Sequence, residues 1–186
     1  MSENLRTYVK ALYGFDATVA RVSTDSWANP SPCPGWTAAD VVAHNIGMNN
    51  MIAGFAQAVG AGRPTEARPD DPGAEWGRSL DGLLDALDSD GALQTVAKTP
   101  WGEMAVDKFL GFAWVDPVIH TWDLARASGQ EPIMDEALSQ RAVKQLKRAG
   151  DSLRGEGRFG PGVDTSDAAP IIDQLVAISG RDPSAH

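Results

Sequence analysis

Asp116 and His120 stand four residues apart in the run WVDPVIHTWDLARASGQ, Trp114 to Gln130. On a helix that spacing stacks both side chains on one face, so that one helix offers a carboxylate and an imidazole to the same divalent ion. A third ligand has to come from elsewhere. The chain has two other histidines, His44 and His186; His186 is the last residue and is expected to fray, which leaves His44. Two imidazoles and a carboxylate suit Zn²⁺, with Ni²⁺ or another divalent ion as the alternative, and leave a coordination position open. A water or thiol held there would lose its proton near neutral pH and become a nucleophile.

Each of these residues also has a plainer reading. A lone histidine on an apolar stripe is most often a hydrogen-bonded core residue. Two of them, on the inner stripes of different helices, would each cost desolvation unless they shared a purpose. Asp116 precedes Pro117, and the residue before a proline is disfavoured in the α region, so Asp116 reads either as a ligand or as the N-cap of a helix starting at Pro117. Asp40 makes a second carboxylate–histidine pair with His44, which helix capping already explains. Asp123, three residues after His120, could steady a ligand from behind, but a surface ion pair with Arg126 is the preferred reading. The one cysteine, Cys33, is a conceivable fourth ligand; between Pro32 and Pro34 it reads first as a small buried residue. Trp36 and Trp122 are expected to fill core space. No GxSxG elbow, phosphate-binding glycine loop or paired-cysteine zinc motif occurs.

The elements that must position these side chains are helical. Leu5, Tyr8, Leu12, Phe15, Val19 and Val22 recur at every third or fourth position and predict a first helix over 4–22. ANPSPCPGW, Ala28 to Trp36, is a stiff turn of three prolines and a glycine. Thr37 with Asp40 forms a capping box for a second helix over 38–59, whose stripe of Val41, His44, Met48, Met51 or Ile52, Phe55 and Val59 puts His44 among core-facing positions. GAGRPTEARPDDPG, Gly60 to Gly73, reads as an exposed crossing loop. Asp71 and Pro72 then open a third helix through Trp76, Leu80, Leu83, Leu84 and Leu87, with Gly91 at its end. TVAKTPWGEMAV, Thr95 to Val106, alternates briefly around Pro100 and Gly102 and suits a small β-hairpin. A fourth helix should run from about 106 to Ala127 and stop at Gly129. A fifth follows over 135–153, and a short one spans 170–179 with Gly180 beyond it. The pattern is all-α: a four-helix bundle with an extra short C-terminal helix, in which ligands project inward from facing helices.

Composition bounds what such a bundle can do. At 186 residues, 42% hydrophobic and 22% charged, the chain suffices for one buried core, and we read residues 1–186 as a single domain without a separate C-terminal one. The formal charge of −9 argues against nucleic acid and anionic membrane surfaces as partners. The N-terminus lacks an apolar signal core, and no apolar run nears the ~18 residues of a membrane span. With a lone cysteine, which forms no internal disulfide, this predicts a cytoplasmic protein.

PCPGWTAADVVAHNIG, Pro32 to Gly47, and VIHTWDLARASGQ, Val118 to Gln130, together resemble the mycothiol-dependent maleylpyruvate isomerase N-terminal family, within the DinB-like or YfiT-like metalloprotein superfamily. The likeness covers nearly the whole chain, and the closing LVAISGRDP is similar to the family's terminal segment. It implies a four-helix bundle holding a metal through one histidine of the second helix and two ligands, one turn apart, from a later helix; by position these are His44, Asp116 and His120. In the superfamily the middle ligand is usually histidine or glutamate, so the shorter aspartate is a departure. Larger relatives carry a further C-terminal domain that helps form the isomerase. The chain is expected to lack it, so maleylpyruvate isomerase activity itself is not implied. The expected function is that of a metal-dependent enzyme in isomerase or transferase chemistry with mycothiol or a similar low-molecular-weight thiol and a small electrophilic substrate. The alternative is a non-catalytic metal or small-ligand binding protein, which could form a homodimer through a helix face.

Overall fold

In the computed structural model the described residues are 1–59, 69–99, 101–150 and 159–184. The chain opens with α1 (Glu3–Val19), capped by the Ser2 hydroxyl, which accepts from the Leu5 N–H. Its Tyr8, Ala11, Leu12, Phe15 and Val19 are buried as one stripe. The helix ends three residues short of the expected span, and Val22 packs against the core from beyond it.

The predicted capping box is present before α2 (Ala38–Ala56): Asp40 accepts from the Thr37 N–H, and the Thr37 hydroxyl accepts from the Asp40 N–H. Apolar residues of α2 are buried on more than one face, Val41 and Val42 alike, because it packs against both α3 and α5. It stops before the expected Val59, which is exposed; Ala58 takes a left-handed φ of 56° that no helix continues through. The crossing loop predicted over 60–73 falls mostly outside the described residues. Asp71 then caps α3 (Pro72–Asp88), with Pro72 in the first turn, where a missing N–H costs no hydrogen bond. Trp76, Leu80, Leu83 and Leu87 face the core, and the Trp76 indole N–H donates to Asp16 of α1 at 2.8 Å. The hairpin expected around Gly102 exists: β1 (Val96–Thr99) pairs antiparallel with β2 (Gly102–Ala105), Val96 opposite Ala105.

The fourth helix is where expectation and structure part. Instead of one helix to Ala127 there are two, α4 (Val106–Ala113) and α5 (Val115–Ala127), joined at Trp114. Pro117 explains the position of the break. Having no N–H, it cannot bond the Ala113 carbonyl one turn back, and its ring crowds that same carbonyl. The interruption therefore falls before Asp116, and Asp116 lies inside the first turn of α5, not at its cap. The N-cap reading of Asp116 is thereby corrected. Gly129, at φ 68°, ends α5 as expected.

α6 (Glu136–Ala149) is capped by Asp135, which accepts from the Leu138 N–H; the expected extension to Leu153 lies outside the described residues. α7 (Ile171–Ile178) closes the order. α1 packs on α4 and α5, α2 on α3 and α5, and α6 and α7 pair with each other beside α5. The fold of the described residues is thus an all-α bundle with a small hairpin. Among the described residues no helix is long and apolar enough to cross a membrane.

Candidate metal centre

The crossing of α2 and α5 brings together the three side chains that spacing selected. His44 Nε2 lies 2.9 Å from Asp116 Oδ2, and His120 Nε2 lies 3.6 Å from Asp116 Oδ1. The two imidazole rings meet edge to face with centroids 4.9 Å apart. One ligand atom from each residue falls within 4.8 Å of the other two. Two helical turns after its cap, α2 delivers His44, while α5 delivers the other pair from one face, as the spacing of four requires.

His44 is not sealed among apolar neighbours as its stripe position suggested. Its side chain is 23% exposed and that of Asp116 24%, whereas His120 is 6% exposed. The cluster therefore has a deep wall and an open side. Burial works to raise the Asp116 carboxyl, but the His44 and His120 imidazoles outweigh it and hold the group well below the usual carboxylate range. Tyr8 of α1, almost fully buried, feels the same negative charge: burial and then Asp116 push its hydroxyl up. At neutral pH the site presents an ionised carboxylate beneath two imidazoles and beside a protonated phenol.

Trp36 belongs to this site and not, as expected, to the core alone. Its indole stacks on the His120 ring at 5.8 Å with an interplanar angle of 18°, and lies tilted over His44 at 5.2 Å. The preceding turn places it. Pro34 and Gly35, the latter at φ 79°, turn the chain so that the Trp36 N–H reaches the Cys33 carbonyl at 3.0 Å, a bend that needs glycine at its third position. Trp122, by contrast, fills core space as predicted, at 1% exposure.

The far edge of the His120 ring carries a second cluster. His120 Nδ1 lies 2.9 Å from Asp123 Oδ2. Asp123 is fully buried and is no surface partner of Arg126, whose guanidinium sits over the Trp122 ring. The surface ion-pair reading fails because α5 packs against α1, α2, α6 and α7, so position 123 points inward. Its charge is met by Arg181, from the segment after α7: Nε to Oδ1 at 3.1 Å and a terminal nitrogen to Oδ2 at 2.7 Å. Cys33 completes the group, its thiol 3.2 Å from Asp123 Oδ2 and 3.1 Å from the Arg181 guanidinium. Burial, followed by the Asp123 charge, pushes the thiol up to about 12. Burial opposes ionisation of Asp123, yet the His120 hydrogen bond and the Arg181 charge bring its carboxyl down to about 2.

Cys33 faces the Nδ1 edge of His120 and groups with Asp123, away from the triad of His44, Asp116 and His120. A fourth-ligand role for it in that triad is not what the geometry offers. Sequence reasoning missed Arg181 altogether. The GRDP ending that contains it was noticed as a pattern without a partner. His186 lies outside the described residues.

The family described as Mycothiol maleylpyruvate isomerase N-terminal domain matches residues 10–125. Two Mycobacterium tuberculosis proteins, Uncharacterized protein MT0763 of strain CDC 1551 / Oshkosh and Uncharacterized protein Rv0738 of strain ATCC 25618 / H37Rv, are each 30% identical over 181 residues. That alignment spans 95% of this chain and 97% of each relative. Among solved structures, the mycothiol-dependent maleylpyruvate isomerase superposes with a TM-score of 0.60 at 18% identity, and a mutant of it with 0.64 at 17%. Each superposition covers 83% of this chain and 73% of the other, a likeness of fold.

Proposed function

The chain belongs to the mycothiol maleylpyruvate isomerase N-terminal domain family, and on that premise we propose that it is a metal-dependent enzyme of the isomerase or thiol-transferase type. The observation that carries the reading is the convergence of two imidazoles and a carboxylate from two helices, with an open side. The set fits a divalent ion: one ligand atom each of His44, Asp116 and His120 lies within 4.8 Å of the others. Such donors favour Zn²⁺, with Ni²⁺ as the alternative. A bound ion would supply a thiolate at neutral pH by lowering the pKa of a coordinated thiol, and mycothiol or a similar small thiol is the cosubstrate this reading takes.

The residues of the chain supply the rest. Asp116 keeps its negative charge in the site and offsets that of the ion. Trp36 covers the two imidazoles and limits approach to the open side, where His44 and Asp116 are exposed. A small electrophile would enter there. His44 Nε2 stands 2.9 Å from the Asp116 carboxylate, so an ion held by both would replace the hydrogen bond between them, and that nitrogen must be free of its proton to ligate.

Elemental analysis of wild type beside His44→Ala, Asp116→Ala and His120→Ala tests the site. Stoichiometric metal in wild type and its loss in the variants is expected; equal content in all four would remove the site. Turnover of electrophilic substrates with and without mycothiol by the loaded protein tests the chemistry. A panel that yields none, while a thiol still raises the melting temperature, would favour a binding protein over an enzyme.

A further inference from the structure

The cluster behind His120 contains a cysteine, a histidine and a carboxylate whose ligand atoms lie as close together as those of the triad. It is nonetheless closed to a second ion. The Arg181 guanidinium already stands there, within 3.2 Å of both Asp123 oxygens and of the Cys33 sulfur, so the cation this group would recruit is part of the chain.

The direction of each hydrogen bond follows from chemistry. Asp123 is an ionised, fully buried carboxylate and can only accept. Its Oδ1 takes the Arg181 Nε–H. Its Oδ2 takes the other Arg181 N–H, the Cys33 S–H and a hydrogen from His120 Nδ1. In the neutral ring the proton is therefore held at Nδ1, and Nε2, the nitrogen facing Asp116, carries the lone pair. Arg181 is itself fixed: a further N–H bonds the Ser179 carbonyl at 2.8 Å, and its backbone N–H bonds the Val176 carbonyl at 2.9 Å. Gly180 between them has φ 88°, and a Cβ there would come within 3.0 Å of the Pro161 carbonyl oxygen. The turn after α7 is thus built tightly against the 160–161 backbone, with Arg181 aimed inward.

We propose that Arg181 and Asp123 are positioning residues: through them the segment after α7, assisted by the Cys33 thiol, fixes the tautomer and ring orientation in which His120 offers Nε2 to a metal. The inference rests on the metal reading above, and it makes metal affinity depend on a residue 58 positions from Asp123 that touches no proposed ligand. Partners that orient ligating histidines in this way are typically worth about 10- to 100-fold in metal affinity.

Long-range ¹⁵N–¹H correlation spectra of the metal-stripped protein, with His120 assigned by His44→Gln and His186→Gln, report the tautomer directly, without metal. Zn²⁺ competition against a chromophoric chelator reports affinity. Wild type should show the proton at Nδ1 of His120. In Asp123→Asn the tautomers should mix and Zn²⁺ affinity fall by about 10- to 100-fold. Arg181→Lys keeps the charge but cannot grip both carboxylate oxygens, and should shift both readouts in the same sense by less; it decides the matter if Asp123→Asn fails to fold. Folded variants with wild-type spectra and affinity would overturn the proposal. Wild type that binds no Zn²⁺, yet loses its Nδ1 tautomer in the variants, would uphold the positioning role and remove the metal reading alone.

Discussion

His120 has two edges, and the molecule treats them oppositely. On the Nδ1 edge a carboxylate meets an arginine, a thiol and the imidazole itself, all buried, with every oxygen of Asp123 accepting. On the Nε2 edge a carboxylate meets two imidazoles, no arginine among the described residues pairs with it, and its side chain is 24% exposed. Both edges pair histidine with aspartate. What separates them is whether a resident cation completes the set. The completed edge is structural, and the open edge is the one to which the proposed metal is assigned. A buried charge is costly without a partner, whereas partial exposure to solvent lets the Asp116 carboxylate stand with imidazoles alone.

The comparison is most easily broken by removing the resident cation. Arg181→Met leaves Asp123 charged, buried and short of two donors, a change that costs about 3–5 kcal/mol. Asp116→Asn disturbs a partly exposed cluster and should cost less than Arg181→Met. Denaturant unfolding of both variants with chelator present checks the pair. Equal losses would mean that the two edges do not differ as their burial says.

Acid sharpens the same contrast with a somewhat smaller effect. The Asp123 carboxyl, held at about 2 in the folded protein, stands near 3.9 when unfolded. A depressed value of this kind stabilises the fold above the unfolded pKa, and the stabilisation fades as pH falls through 4 towards 2. The loss should be on the order of 2 kcal/mol. Unfolding midpoints measured from pH 5 to pH 2.5 should show it in wild type and still show it in Asp116→Asn, reduced there by the share that the likewise depressed Asp116 carboxyl contributes. If Asp116→Asn abolishes the loss, the acid-sensitive group lies on the open edge instead.

How much of this was legible in the sequence follows the same division. The open edge could be read because it depends on period: Asp116 and His120 share a helical face, and His44 lies on a stripe whose capping box marks its start. The closed edge depends on tertiary contact. Arg181 and Cys33 stand 58 and 90 residues from Asp123, and no local rule separates a buried aspartate from one paired with Arg126 on the surface. Local rules located a helix break at Pro117 but put it at the proline's own neighbour. The missing hydrogen bond acts a turn earlier, at Ala113, which is why Asp116 stays helical and faces His44. Trp36 packs against the core as expected, but its place over the imidazoles is illegible for a related reason: its indole is positioned by the Pro34–Gly35 turn, whose outcome depends on what the turn packs against.

The smallest expected effect concerns Cys33, and it tests whether the closed edge is closed. The thiol is 8% exposed and pushed up to about 12, so at pH 8 it is almost entirely protonated. Alkylation proceeds through the thiolate, and relative to an unperturbed thiol the reactive fraction is lower by roughly a thousand-fold. Iodoacetamide should therefore label the native protein far more slowly than the protein in urea, and similar rates would mean that the edge opens readily to solvent. Substitution divides the thiol's contribution further. Cys33→Ser keeps a donor for Asp123 and an acceptor for Arg181, whereas Cys33→Ala removes both, and the difference between them should be about 1 kcal/mol. It should not be larger, because His120 and Arg181 still satisfy the carboxylate when the thiol is gone. If the two variants are equally stable, the sulfur only fills space, and the charge on the closed edge is held by Arg181 and the His120 N–H without it.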